Sequence, residues 1–255
     1  MKTILIIGIG AGHPEHLTIQ AVNAMNRAQV FFLLDKGPVK HALGDLRREL
    51  CRQYVHHDNY RIVQAQSPER LRDDDAYAAS VAALNGDKQA LFERLIDSQM
   101  HEDECGAFLV WGDPALYDST LRILQAIQAQ GRLAFEVVVI PGITSVQALA
   151  AAHQVPLNRI GESLQITTGR RLAQGYPSQA DTVVVMLDAQ DTYLRYAAQD
   201  LDIYWGAYVG TPDELLIAGK LAEVGEQIRQ VREAARLRHG WIMDTYLLRA
   251  APTGG

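Results

Sequence analysis

Cysteine occurs only twice, at Cys51 and Cys105, and neither has a Cys or His partner at metal-ligand spacing. This excludes a disulfide framework and a structural zinc site, and it fits a reduced cytoplasm. Basic charge is also in deficit. The 24 Lys and Arg residues stand against 30 Asp and Glu, leaving a net charge of −6, the wrong sign for a general nucleic-acid binder. Internal repeats and low-complexity segments are missing, and no apolar run is long enough to span a bilayer. The opening Lys2 followed by TILIIGIGAG has the outline of a secretion signal, but His13, Glu15 and His16 stand where small neutral residues would be needed. That run therefore reads as a buried strand entering a glycine turn. What the chain does have is bulk: 255 residues, 48% hydrophobic and 21% charged, can bury a core as one large or two medium domains.

Taken in order, the pattern alternates. Thr3 to Ile9 is a continuous β-rich apolar run, typical of a parallel-sheet strand covered on both faces. Glu15 to Ala28 has a narrow apolar helical stripe, and Val30 to Leu34 reads as a second strand ending at Asp35, which completes a βαβ unit. Further strands are predicted at Arg61 to Ala65, Ala107 to Trp111 and Phe135 to Ile140, with helices at Tyr77 to Leu84 and Lys88 to Met100. The chain is thus α/β, with a doubly wound parallel domain over residues 1–158 and a smaller mixed-sheet domain over 159–255. The second domain is expected to hold strands at Leu164 to Thr168, Thr182 to Leu187, Ile203 to Tyr208, Glu214 to Lys220 and Trp241 to Leu248, with a charged helix from Leu221 to His239.

Three glycine turns follow strands of the first domain. In VWGDPALYDSTLRIL, Gly112 permits a conformation or close approach that a side chain would block, and Asp113 before Pro114 has the order of a helix N-cap followed by N1. The predicted helix then runs along Leu116, Thr120, Ile123, Leu124 and Ile127 to Gly131. The first turn, GIGAGH, fails the G-x-G-x-x-G dinucleotide fingerprint because position 13 is His. In the third, Pro141 and Gly142 precede Thr144 and Gln147 at capping-box spacing. Singly, each turn is explained by helix capping. Together, at the carboxyl ends of parallel strands, they open onto the edge of the sheet where ligands of α/β folds bind.

The ordered set GIGAGHPEHLT, VWGDPALYDSTLRIL and IPGITSVQALAA resembles the tetrapyrrole (corrin and porphyrin) methylases, and the likeness continues through PLNRIG, ITTGRR, IYWGAYVGTPDELLI and GWIMDTYLLR. One position departs from the family pattern: His13 stands where the first turn usually has Asp. The resemblance implies a parallel first domain, a mixed second domain, S-adenosylmethionine in the cleft between them, no metal, and a homodimer. By resemblance the cofactor meets Gly112, Asp113, Tyr117, Thr144 and Ser145, then Met186, Leu187, Tyr208, Val209 and Met243. The branch most like this chain methylates C-1 of precorrin-5 with loss of the acetyl group as acetate. Asp35, matching the family's acid at the end of the second strand, is the implied general base; Asp113, Asp244, Tyr117 and His153 are weaker candidates. The partner would be precorrin-5 or a related anionic tetrapyrrole, and Lys36, Arg170 and Arg171 are the cations expected to grip its carboxylates. Arg47 and Arg48 read instead as a solvated helix face. Two other functions share these features: a methyltransferase of the same fold with another substrate, or a cofactor-binding regulatory module without catalysis.

Overall fold

The computed structural model describes residues 1–35, 37, 41–68 and 77–250, and the chain folds as two compact units, Met1–Ile143 and Thr144–Gly255. The first unit holds β1 (Lys2–Gly8), β2 (Val30–Asp35), β3 (Arg61–Gln66), β4 (Cys105–Val110) and β5 (Phe135–Ile140). They form a five-stranded sheet in the order β3-β2-β4-β1-β5, every pair parallel. The apolar run of β1 explains its central place, because alternate residues enter two separate cores. Ile4 and Ile6 pack with Phe92, Ile96, Phe108, Ile123 and Leu124, whereas Leu5 and Ile7 pack with Ala21, Met25, Leu50 and Cys51. Helices α1 (Ile19–Met25) and α2 (His41–Tyr54) therefore cover one face, and α3 (Tyr77–Gln99) and α4 (Thr120–Ala129) the other.

Several predicted borders move, each for a local reason. Pro14–His16 forms a short 3-10 turn, and α1 starts only after Thr18, whose Oγ1 accepts the Ala21 N–H at 3.0 Å. The two predicted helices around Gly86 are one, since a lone glycine weakens a helix without ending it. The helix expected to start at Pro114 begins instead at Thr120. Gly112 at φ +70° and Tyr117 at φ +52° hold the intervening residues in turns, and Asp118 Oδ1 accepts the Thr120 N–H at 2.6 Å. Asp113 is thus not the N-cap of α4.

The second unit contains α5 (Ser145–Ala152), β6 (Leu164–Thr168), α6 (Gly169–Leu172), β7 (Thr182–Met186), β8 (Leu201–Ala207), β9 (Leu215–Lys220), α7 (Leu221–His239) and β10 (Asp244–Ala250). Its sheet runs β6-β7-β10-β8-β9, with β6 parallel to β7 and the other pairs antiparallel, which is the mixed sheet expected. Fully buried Trp205 and Tyr246 pack beneath α7 with Leu221 and Ile228. The expected border after residue 158 places α5 with the first unit, but α5 lies against β8 and β10. A Cβ added to Gly206 of β8 would sit 2.6 Å from Leu149 of α5, so that glycine sets the close approach. Among the described residues no helix is long and apolar enough to cross a membrane.

Candidate functional site

In the first unit the three glycine turns meet backbone to backbone. A Cβ on Gly8 would lie 2.7 Å from the Gly142 nitrogen, and one on Gly142 would lie 2.2 Å from the Gly112 carbonyl oxygen. Only glycine fits this contact. Gly112 donates its N–H to the Gly10 carbonyl at 2.8 Å and accepts from the Gly10 N–H at 3.4 Å, so both its backbone groups serve the bridge. Asp113 clasps the assembly: Oδ1 accepts the Ala115 N–H at 2.7 Å and Oδ2 the Gly142 N–H at 2.8 Å. Thr144 and Gln147 of the second unit form the predicted capping box, Thr144 Oγ1 accepting the Gln147 N–H at 3.3 Å and Gln147 Oε1 the Thr144 N–H at 2.8 Å. Ser145 Oγ lies 3.3 Å from Thr245 Oγ1.

His13 performs a capping role in the position where an Asp was expected. Its Nδ1 accepts the Glu15 N–H at 3.1 Å and opens the Pro14–His16 turn. Asp35 ends β2 at the carboxyl edge of the same sheet. Its Oδ1 accepts the Gly37 N–H at 2.9 Å, and its Oδ2 lies 3.5 Å from the Gln64 amide nitrogen. Lys36 lies outside the described residues.

Beside Asp35 the sheet splits. Pairing of β2 with β4 stops at Phe32↔Phe108, although pairing of β2 with β3 continues to Asp35↔Gln66. Arg47 of α2 enters the gap and donates from Nε to the Leu109 carbonyl at 2.9 Å. Burial lowers its guanidinium pKa to about 10, against the opposing pull of Asp118. Arg47 is therefore a wedge in the sheet and not the solvated charge the sequence suggests. Arg48 does lie near the surface, 3.1 Å from Asp45.

In the second unit the named residues also share one edge. Register pairs Thr245 with Met186 and Asp244 with Ala207, which brings the end of β7, the start of β10 and the end of β8 side by side. Leu187, just past β7, has φ +55° and is 67% exposed; Tyr208, just past β8, has φ +51° and is 4% exposed. The Tyr208 N–H donates to the Met243 carbonyl at 2.8 Å and its hydroxyl to the Trp241 carbonyl at 2.5 Å. Burial pushes the Tyr208 phenol up to about 12. Val209 is buried beside Gly206, and Met186 and Met243 are half-buried. Arg170 and Arg171 are exposed on α6, which Thr168 caps; Arg171 Nη1 donates to Gln174 at 3.1 Å.

Non-glycine residues with positive φ are uncommon and gather where function fixes the backbone. Among the described residues there are six: Asp103, Tyr117, Gln154, Leu187, Asp191 and Tyr208. Three of the six are residues that the resemblance assigns to the cofactor. Tyr117 and Leu187 combine that strain with exposed apolar surface, 47% and 67%.

Residues 3–225 match the family model for Tetrapyrrole (Corrin/Porphyrin) Methylases. The chain belongs to this family. It is 48% identical over 249 residues to a protein of Sinorhizobium sp named precorrin-6A synthase [deacetylating], covering 98% of this chain and 95% of that one. Among solved structures, a protein from Corynebacterium diphtheriae described as related to cobalamin synthesis superposes with a TM-score of 0.84 at 38% identity, over 98% of each chain. The uroporphyrin-III C-methyl transferase of Thermus thermophilus, solved with S-adenosyl homocysteine, superposes with a TM-score of 0.61 at 20% identity, over 97% of this chain and 92% of that one. At that identity the likeness concerns the tetrapyrrole methylase fold alone.

Two of the weaker base candidates have other duties. His153 Nε2 lies 2.9 Å from the Trp205 carbonyl, and its ring meets Tyr204 edge-on. Asp244 is buried, which raises its pKa, and its Oδ2 accepts from Arg232 at 2.8 Å and from Trp205 at 3.0 Å. Sequence reading missed Asp188, Arg232 and the wedge role of Arg47. Arg232 carried one faint signal, an apolar helical stripe of Leu221, Ile228 and Ala235 into which it falls at the i+4 step from Ile228.

Proposed function

We propose that this chain methylates C-1 of precorrin-5, with S-adenosylmethionine as methyl donor and loss of the C-1 acetyl group as acetate, giving precorrin-6A. The single observation that carries the cofactor assignment is the left-handed backbone of Tyr117, Leu187 and Tyr208 at three strand-end turns. The 48% identity to a precorrin-6A synthase supports the choice of substrate. When bound, S-adenosylmethionine supplies an electrophilic methyl group for the ring carbon. In the first unit, Tyr117 and the Gly112–Asp113 turn serve the cofactor; in the second, Thr144, Ser145, Met186, Leu187, Tyr208, Val209 and Met243 do so. Gly112 and Asp113 act through the turn they hold, because their polar groups are engaged with Gly10, Ala115 and Gly142.

Asp35 takes a proton from water as the water oxygen bonds to the acetyl carbonyl carbon. The bond from C-1 to that carbon then breaks, the acetyl group departs as acetic acid that loses its remaining proton to solvent to become acetate, and the bonding pair remains on C-1 as the nucleophile for methylation. The Gly37 N–H fixes one Asp35 oxygen and leaves the other toward Gln64. Arg170 and Arg171 meet the carboxylate fringe of the macrocycle. The protein works as a cytoplasmic homodimer.

Incubation with precorrin-5 and methyl-labelled S-adenosylmethionine tests the assignment. One labelled corrinoid methyl and one acetate should form per turnover; methylation without acetate would place the chain in another branch of the family. For Asp35→Asn, acetate release should fall roughly 10²–10⁴-fold, the range typical of a positioned base, with S-adenosylhomocysteine affinity held. Unchanged acetate release at saturating substrate would remove Asp35 from the mechanism.

A further inference from the structure

The strained turns of the second unit are joined by one guanidinium. Arg232, in the middle of α7, is 5% exposed. Its three nitrogens go to three aspartates on two segments, the turn after β7 and the start of β10. Nη2 donates to the Asp188 carbonyl at 2.5 Å, Nε donates to Asp244 Oδ2 at 2.8 Å, and Nη1 lies 3.2 Å from Asp191 Oδ1. Asp188 directly follows Leu187, and Asp244 directly follows Met243, the residue whose carbonyl receives the Tyr208 N–H.

The acids around it are equally committed. Asp188 Oδ1 accepts from the Gln190 N–H at 3.0 Å and the Thr192 hydroxyl at 2.8 Å, while Oδ2 accepts from the Thr192 N–H and the Tyr246 hydroxyl, both at 2.7 Å. A Cβ on Gly169 would sit 2.5 Å from the Asp188 carboxyl carbon, so the start of α6 closes the same network from another side. Buried ion pairs are weak devices for stability, because desolvation offsets their attraction. Fully satisfied, they are effective at fixing one geometry. Here the geometry fixed is that of the segments carrying Leu187, Met243 and Tyr208.

We propose that Arg232 is a positioning residue for the methyl donor: by tying Asp188 and Asp244 together it holds Leu187 and Tyr208 in their left-handed conformations before the cofactor arrives. Binding then meets a preformed seat and does not have to order it. This rests on the assignment of Leu187 and Tyr208 to the cofactor. Lysine at position 232 can reach one partner but not three. If the competent turn falls to about a tenth of the population, apparent affinity falls about tenfold.

The test is titration calorimetry of the full chain with S-adenosylhomocysteine for the parent, Arg232→Lys, Asp191→Asn and Leu187→Asp. Methyl NMR of the five methionines serves as a local probe of Met186 and Met243. Arg232→Lys should raise Kd about tenfold and broaden two methionine methyl signals that sharpen on saturation, with precorrin-5 affinity within about twofold of the parent. Should Arg232→Lys fail to fold, Asp191→Asn, which removes the negative charge facing Nη1 and keeps an oxygen for the Tyr193 hydroxyl, should raise Kd about threefold. The proposal is overturned if both variants bind like the parent, or if Arg232→Lys weakens both ligands alike, while Leu187→Asp loses S-adenosylhomocysteine. If Leu187→Asp also binds like the parent, the cofactor does not meet this turn, and the assignment beneath the proposal fails with it.

Discussion

The carboxyl edge of the first sheet and the corresponding edge of the second are built from different materials. The first is backbone on backbone: Gly8, Gly112 and Gly142 touch through main-chain atoms, and Asp113 pins two N–H groups. The second is mainly side chain on side chain: Trp205 of β8, Arg232 of α7, Asp244 and Tyr246 of β10 and Asp188 just past β7 converge, and Arg232 also reaches the Asp188 carbonyl, to hold two strained turns. The first edge tolerates almost no substitution where the glycines meet. The second should tolerate partial changes with graded loss, because each acid has more than one donor.

The sharpest break in that comparison is Gly142→Ala, whose new methyl would lie 2.2 Å from the Gly112 carbonyl oxygen. Backbone must move at the meeting of three turns, so destabilisation of about 3 kcal/mol or more is expected in urea unfolding. Tyr246→Phe removes one of four donors to Asp188 and should cost about 1–3 kcal/mol by the same measurement, with the fold retained. Gly86→Ala supplies the contrast. A methyl there meets nothing within 4 Å in mid-helix, and stability should rise by about 0.5–1 kcal/mol.

The smallest effect is expected away from both edges. The Arg61 guanidinium hydrogen-bonds both oxygens of Glu104, at 2.8 and 2.6 Å, and holds its carboxyl down at about 2. Because the folded pKa is depressed, this contribution is present above the ordinary glutamate range and lost as pH falls toward about 2. Acid titration of Glu104→Gln should show a shallower loss of stability across that window than the parent. Parallel curves would remove the pair from the acid response.

This contrast also explains what could be read from the sequence. Glycine after an apolar strand is conspicuous, so the turns at Gly8–Gly12, Gly112 and Gly142 were legible, as were the capping box at Thr144 and the α7 span from Leu221 to His239. The wrong start of α4 came from treating Asp113 and Pro114 as helix signals, when Asp113 is used across the sheet edge by Gly142. Side-chain convergence left no such mark. Arg232 sits among five other Arg and Glu residues in EQIRQVREAARLR, and only the fold shows that it points inward. Arg47 was hidden for the same reason: a strand that peels away from its neighbour at Phe32 is a tertiary event.

Leu187 gives the most direct test of the claim that strained strand-end turns form the cofactor seat. Its left-handed backbone costs about 1–2 kcal/mol, and at 67% exposure its side chain buries little in return. Leu187→Gly should therefore hold or raise the thermal midpoint, with a gain of up to about 1 kcal/mol. In the same sample its Kd for S-adenosylhomocysteine should rise about tenfold, as a preformed contact is both removed and loosened. A stable variant that binds the cofactor product as tightly as the parent would contradict the claim.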